Sequence, residues 1–337
     1  MRRMILAAAV AAGALCAAGQ ALAWGATGHR MVGRAAMEAL PPEIPPFLRT
    51  RAAAEAIGEL AREPDRSRDV GRAHDADRDP GHFVDGGDDG KIAGVISFDA
   101  LPLTRDDYET ALRAAGTSSW KMGYLPYSII TGWQQLAKDF ANWRADVAGI
   151  RHTRNAQHRA WMLADKARRE ALILADLGAL AHFVGDGSQP LHGSVHYNGW
   201  GDHPNPAGYT QDHIHTPFEG AFVRDHVAYG AVTAGMRPFQ DCGCPIDRRV
   251  GAYLADDVAA VIPLYELQKG GAFAGADPRG VAFATRRLAL GASELRDEIV
   301  LAWRAAGALK VGWAEVDLSA IESGQIADPY DNLIGTD

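Results

Sequence analysis

The stretch Ala171-Leu-Ile-Leu-Ala-Asp-Leu-Gly-Ala-Leu-Ala-His182-Phe-Val-Gly-Asp186 decides the fold class. Leu172, Ile173, Leu177, Leu180, Ala181 and Val184 recur at intervals of three and four, which places them on one stripe of a helix and not on one face of a strand. His182 and Asp186 lie one helical turn apart at the end of that pattern, so both project from the same side and can meet one ion.

The same spacing returns on either side of this segment. It runs through Ile129, Ile130, Trp133, Leu136, Ala137, Phe140 and Trp143, and again through Leu288, Ala292, Leu295, Ile299 and Trp303. Shorter helical patterns cover 30–40, 52–63, 213–228 and 250–268. No segment sustains period-two alternation of strand-forming residues, so the predicted fold is all-α, a single large helical domain. Two Gly-, Pro- and Asp-rich stretches, 64–126 and 187–212, exceed the length of ordinary helix connections and are predicted to be functional loops.

The N-terminus reads as an export signal. Arg2 and Arg3 precede an apolar run from Met4 to about Ala18, followed by Ala21-Leu22-Ala23, which predicts a signal peptide over 1–23, cleavage before Trp24 and a secreted or periplasmic mature domain over 24–337. The apolar run is shorter than the roughly 20 residues that span a bilayer, and the bulky Leu15 ahead of Cys16 disfavours a lipoprotein signal. Removing Arg2 and Arg3 takes the formal charge from −8 to −10, which argues against a broad basic nucleic-acid surface. A nucleic-acid substrate would have to meet much of its positive charge in bound metal. Only Cys242 and Cys244 remain after cleavage, and their Cys-Gly-Cys ring is expected to be too tight for an easy disulfide. The alternatives for this pair are a soft metal site or a redox element.

The chemistry concentrates in histidines beside carboxylates. His215 and Glu219 repeat the four-residue spacing of His182 and Asp186; His192 follows in Gln189-Pro190-Leu191-His192; His82 stands in Gly81-His82-Phe83-Val84-Asp85; and His29 closes Trp24-Gly-Ala-Thr-Gly28-His29. A single pair of this kind is commonly a solvated helix pair. The set supplies imidazole nitrogen and carboxylate oxygen without thiolate, the donor mixture of catalytic zinc sites.

Trp24-Gly-x-x-Gly-His29, Pro64-Asp65-x-x-Arg68, His82-Phe-Val-Asp85, His182-Phe-Val-Gly-Asp186-x-x-Gln-Pro-Leu-His192 and His215-x-x-Phe-Glu219 stand in the order found in the S1/P1 nuclease and zinc phospholipase C superfamily, which this chain resembles from 24 to 219. The resemblance implies the helical fold of that superfamily and three zinc ions. By position, Asp65, His82, His182 and Asp186 would hold one ion, and His192, His215 and Glu219 a second. Trp24, through its free α-amino group and carbonyl oxygen, would join His29 and Asp186 on the third, so that Asp186 bridges. Asp65 is preferred to Asp69, Asp75, Asp77 and Asp79 in the same loop for its Pro-Asp-x-x-Arg setting.

Zinc would then make hydroxide available near neutral pH for attack on phosphorus. Asp186 and Asp65 take catalytic roles in this reading. Arg68 either steadies a phosphate oxygen or closes a structural salt bridge. Phe83 and Asp85 match positions near the nucleotide site, where they would stack on a base and meet its edge; otherwise Phe83 is core and Asp85 orients a zinc-bound histidine. No Gly-x-Ser-x-Gly elbow, phosphate-binding glycine loop or His-Glu-x-x-His helix competes with the metal reading.

Two branches of the superfamily are open. The Trp-Gly-x-x-Gly-His start, Gln-Pro-Leu-His and the long connection from His192 to His215 resemble the nucleases, whereas Glu219 resembles the phospholipases, in which glutamate replaces the usual aspartate. The Asn-Leu-His-x-x-Trp-Asp motif of the nucleases is missing, and Tyr197-Asn-Gly-Trp200-Gly-Asp-His-Pro-Asn-Pro206 stands instead. The expected substrate is single-stranded DNA, RNA or nucleotides, with phospholipid the alternative and a non-catalytic zinc-binding protein the third reading. No obligate protein partner is evident.

Overall fold

The computed structural model describes residues 24–68 and 70–335; the expected signal peptide at 1–23, and Asp69, lie outside the described residues. Eight helices of nine residues or more organise them: α1 (Gly25–Glu38), α2 (Arg51–Leu60), α3 (Arg105–Ala114), α4 (Leu125–His152), α5 (Ala156–Asp186), α6 (Ile246–Ala259), α7 (Val261–Lys269) and α8 (Pro278–Ala306). The only named strands among the described residues are two short hairpins, Lys91–Ile92 with Ile96–Ser97 and Lys310–Val311 with Val316–Asp317. The fold is all-α, as the hydrophobic periodicity predicts.

Helix boundaries follow local chemistry. Asn155 caps α5 by accepting from the Gln157 and His158 amides at 2.9 and 3.3 Å, and Asp277 caps α8 by accepting from Arg279 N at 2.8 Å, with Pro278 in the first turn where its missing N–H costs nothing. The pattern over 250–268 divides into α6 and α7 because Pro263 cannot donate to residue 259 and its ring crowds that carbonyl.

The predicted loop 64–126 is not bare loop. Thr104 accepts from Asp107 N at 3.0 Å and opens α3, whose Tyr108 and Leu112, four apart, are buried. Such a short amphipathic run is hidden among polar residues in the sequence, and its cap is what reveals it.

Helices α4 and α5 form the long antiparallel hairpin of the structure, with α8 packed on α4 and α1 packed on both α2 and α8. Their apolar stripes meet in one continuous core that takes in residues from Trp24 to Ile321, including Leu136, Phe140, Leu177, Leu180, Leu288 and Leu295. A ring of buried ion pairs, Arg249 with Glu294 and Asp297, and Arg287 with Asp257, ties α6 to α8. No helix among the described residues is long and apolar enough to cross a membrane. This packing brings the N-terminus of α1, the C-terminus of α5 and the loops after α2 and α5 to one place.

Cys242 and Cys244 correct the sequence expectation: they are joined as a disulfide. Gly243 adopts a φ of 61°, a left-handed conformation that glycine reaches without strain and that folds the chain into the turn the ring requires. The Cα atoms stand 5.1 Å apart, within the ordinary span of a disulfide.

Candidate metal centre

Six elements converge on the centre. Helix α1 supplies His29, a short helical turn at Glu63–Arg66 supplies Asp65, and the 3₁₀ turn Asp79–His82 ends in His82. The last turn of α5 carries His182 and Asp186, the turn Pro190–His192 carries His192, and a widened π-helical turn at Pro217–Phe222 carries Glu219 one turn after His215. Pro217 withholds one amide from the ordinary ladder at this point, and π turns of this kind concentrate at functional sites. Gly185 is needed for the approach of α1 to α5, because a Cβ there would lie 2.9 Å from His29 Nδ1.

Three groups of donors result, each with ligand atoms within 4.8 Å of one another: His29, His182 and Asp186; Asp65, His82 and His182; and His192, His215 and Glu219. The sequence expectation shares Asp186 between two sites; in these groups the shared residue is His182, and Asp186 stands with His29. Asp186 Oδ1 is 3.5 Å from His29 Nε2, while its Oδ2 is 3.2 Å from His182 Nε2 and 3.3 Å from His82 Nδ1. One carboxylate therefore faces both of the first two groups. Glu219 Oε2 stands 2.9 Å from His215 Nε2 and 3.7 Å from His192 Nε2. Among the described aspartates of the 64–79 loop, Asp65 is the one gathered into a donor group.

The ring tautomers favour ion binding. His182 Nδ1 faces the Ala61 carbonyl at 2.9 Å and His192 Nδ1 faces the His82 carbonyl at 2.6 Å. A carbonyl only accepts, so each Nδ1 carries the proton and each Nε2 turns a lone pair toward the carboxylates. This arrangement fixes metal-binding histidines in orientation. His182 Nε2 also lies 2.8 Å from His82 Nδ1.

Burial disfavours charge on every one of these groups. It pushes Asp186 well above the ordinary carboxylate range, with Arg68 opposing and Glu219 reinforcing the rise, and it raises Asp65 to about 6. Burial also raises Glu219, against hydrogen bonding and attraction from His192. It lowers His192 to about 4 and His215 to about 3, and holds His82 and His182 below the usual imidazole range.

The fit to metal is tested by what the donors lack. Both carboxylate oxygens of Asp186, Oδ1 of Asp65, Oε1 of Glu219 and Nε2 of His192 and His215 are buried and make no hydrogen bond. Buried polar atoms are almost always satisfied, so several bare acceptors pointed at one another call for a shared positive charge. The donor set of imidazole nitrogen and carboxylate oxygen suits a divalent ion of zinc's type.

The remaining predicted residues are not members of the three donor groups. Arg68 stands 3.8 Å from both Asp65 and Asp79, so the salt-bridge alternative is present, and only 12% of its side chain is exposed. Phe83 is half-buried and bonds through its carbonyl to Leu125 N at 3.0 Å. Asp85 is fixed through its backbone to Met122 O at 2.8 Å, and burial pushes its carboxyl up to about 7. The Nδ1 atoms of His182 and His192 take backbone partners and not this carboxylate. Trp24 is fully buried, its ring 5.7 Å from that of Phe218.

Gln189 is a supporting residue to which the sequence assigned no task. Its Nε2 donates to Glu219 Oε2 at 3.0 Å and its Oε1 accepts from Leu191 N at 2.8 Å. The signal was present in Gln-Pro-Leu-His, since a fully buried amide before a proline turn needs partners for both of its ends. No protein-family model, curated protein or solved structure matches this chain.

Proposed function

We propose that this chain is an exported zinc phosphodiesterase of the S1/P1 nuclease and zinc phospholipase C type, with three ions, acting on single-stranded nucleic acid or nucleotides. The observation that carries the reading is Asp186, a buried carboxylate with no hydrogen bond that faces histidines of two donor groups. Such a centre is assembled to hold adjacent cations, and adjacent cations suit the displacement of one phosphate oxygen by another. Zinc held here would supply hydroxide near neutral pH and positive charge toward the phosphate.

The chain's own residues do the rest. Asp65, His82, His182 and Asp186 bind the first ion; His192, His215 and Glu219 the second; Trp24, His29 and Asp186 the third. Arg68, poised between Asp65 and Asp79, lends its planar fork to a phosphate oxygen at the rim. Phe83 offers a face to a nucleobase, and Asp85, its carboxyl held near 7, donates to or accepts from the base edge according to pH. Export belongs to this reading, because Trp24 offers an amine only once residues 1–23 are removed.

The second reading, phospholipid hydrolysis, is favoured by Glu219 alone. Zinc-loaded protein beginning at Trp24 decides between them when offered single-stranded DNA, RNA and phosphatidylcholine side by side. Nucleotide products are expected. Release of diacylglycerol without nucleotide products would overturn the substrate assignment, and one zinc or fewer per chain by elemental analysis would overturn the metal centre.

A further inference from the structure

One turn of chain, Gly187-Ser188-Gln189, follows the shared carboxylate Asp186, and its two polar side chains reach in opposite senses. Gln189 supports Glu219 in the second group. Ser188, fully buried, accepts a hydrogen bond from Trp24 Nε1 at 2.8 Å. Its own hydroxyl proton goes to the Gly185 carbonyl at 2.9 Å, so a lone pair of Oγ is left to face the indole.

The backbone of the same serine is anchored from the other side. Arg287 Nε donates to Ser188 O at 2.9 Å, and the rest of that guanidinium is held by Asp256 at 2.7 Å and Asp257 at 2.6 Å. Ser188 and Asp257 are fully buried and Arg287 nearly so, so these three groups are shielded from water, while Asp256 reaches the surface. A Cβ on Gly291 would lie 2.6 Å from Ser188 Oγ, so the close approach of α8 to this hydroxyl requires glycine there.

We propose that Ser188 is a positioning residue that seats Trp24, and through it the amino terminus, at the group of His29 and Asp186, with Arg287 and Asp257 as its fixed support. This inference rests on the reading of Trp24 as the processed first residue. A chain terminus is mobile unless tied down, and an amine free to swing would contribute little as a ligand. The indole has a single polar atom, a donor, and leaving it buried and unpaired carries a desolvation cost. Ser188 supplies the one acceptor, so the side chain of Trp24 acts as an anchor while its backbone is presented to the ion. Supporting hydrogen bonds of this kind are worth roughly ten- to a hundredfold in metal affinity.

The experiment is a double-mutant cycle read in zinc binding, by calorimetric titration with elemental analysis, on protein beginning at Trp24. Ser188→Ala is expected to weaken the last-filled ion about ten- to a hundredfold while the other two stay bound. Trp24→Phe is expected to do the same, and the double variant no worse than either single, since both cut one link. Wild-type affinity for all three ions in Ser188→Ala would overturn the proposal, as would strictly additive losses in the double variant. If Ser188→Ala does not fold, Trp24→Phe carries the test, and unchanged third-ion affinity there overturns it equally. One zinc or fewer in the wild type would overturn the metal centre itself. Three equally tight ions in a chain that retains residues before Trp24 would overturn the role of the free amine and the proposal with it.

Discussion

Asp186 Oδ2 and His182 Nε2 stand 3.2 Å apart across one turn of α5, both fully buried. The pair is the hinge of the whole centre, since His182 belongs to two donor groups and Asp186 faces the histidines of both. Asp186→Asn keeps the shape and removes the charge. We expect it to lose more than one zinc per chain and to reduce hydrolysis by more than the roughly hundredfold that a supporting residue costs. Elemental analysis and initial rates check this; near-normal turnover would exclude a bridging role.

Chelation should unfold the centre as well as empty it. Both oxygens of Asp186, Oε1 of Glu219 and Nε2 of His192 and His215 are buried without a hydrogen bond, and the binding free energy of an ion that recognises only the folded chain adds to stability. At free zinc about a thousandfold above Kd a single ion contributes about 4 kcal/mol. Thermal melting with and without a chelator should therefore differ by at least about 5–10 °C, the effect of losing one ion, and equal melting temperatures would count against resident metal.

Away from the centre, Asp146 makes stability depend on pH. It is buried in α4, and burial, with the Asp165 carboxylate close by, pushes its carboxyl up to about 8. The folded chain then keeps a proton that the unfolded chain releases near its ordinary value of 3.8. Fewer protons are bound in the unfolded state through this window, so stability falls as pH rises from about 4 to about 8, by at most about 1.4 kcal/mol per unit, and levels off above. Asp146→Asn should flatten that slope in chemical denaturation at pH 5, 6, 7 and 8. An unchanged slope would place the titration elsewhere.

How much of this could be read from the sequence varies with the range of the interaction. His182 with Asp186 and His215 with Glu219 are four-residue relations, so the helical repeat alone sets each pair on one face. Asp65 and His82 are reached through irregular loops, and spacing says nothing about where such loops return; a motif resemblance named them and the packing of α2 against α5 gathers them. Ser188, Arg287 and Asp257 were not legible at all. Arg287 lies on an amphipathic helix where an arginine ordinarily faces water, and only the tertiary meeting of α6, α8 and the turn after α5 turns it inward. The disulfide was missed for a local reason, the left-handed Gly243 that shortens the path between the cysteines.

Gln189 offers the cleanest separation of binding from folding. Its amide spans two jobs, donating to Glu219 Oε2 at 3.0 Å and accepting from Leu191 N at 2.8 Å. Gln189→Glu keeps the acceptor for Leu191 but sets a second carboxylate against Glu219, whereas Gln189→Ala removes both bonds and the bulk. If the side chain serves chiefly to hold Glu219 on the second ion, Gln189→Ala should weaken that ion by about ten- to a hundredfold and leave the groups around Asp186 filled. Gln189→Glu should behave differently with pH. Above neutrality its added charge repels Glu219 in the empty site and favours the protein that has taken up an ion, so melting temperature should become more sensitive to zinc than in the wild type. Zinc titrations of the two variants, followed by melting temperature at pH 6 and pH 8, check both expectations. Equal loss of all three ions in Gln189→Ala would mean that the turn is a structural strut for the whole centre and not a local support for Glu219.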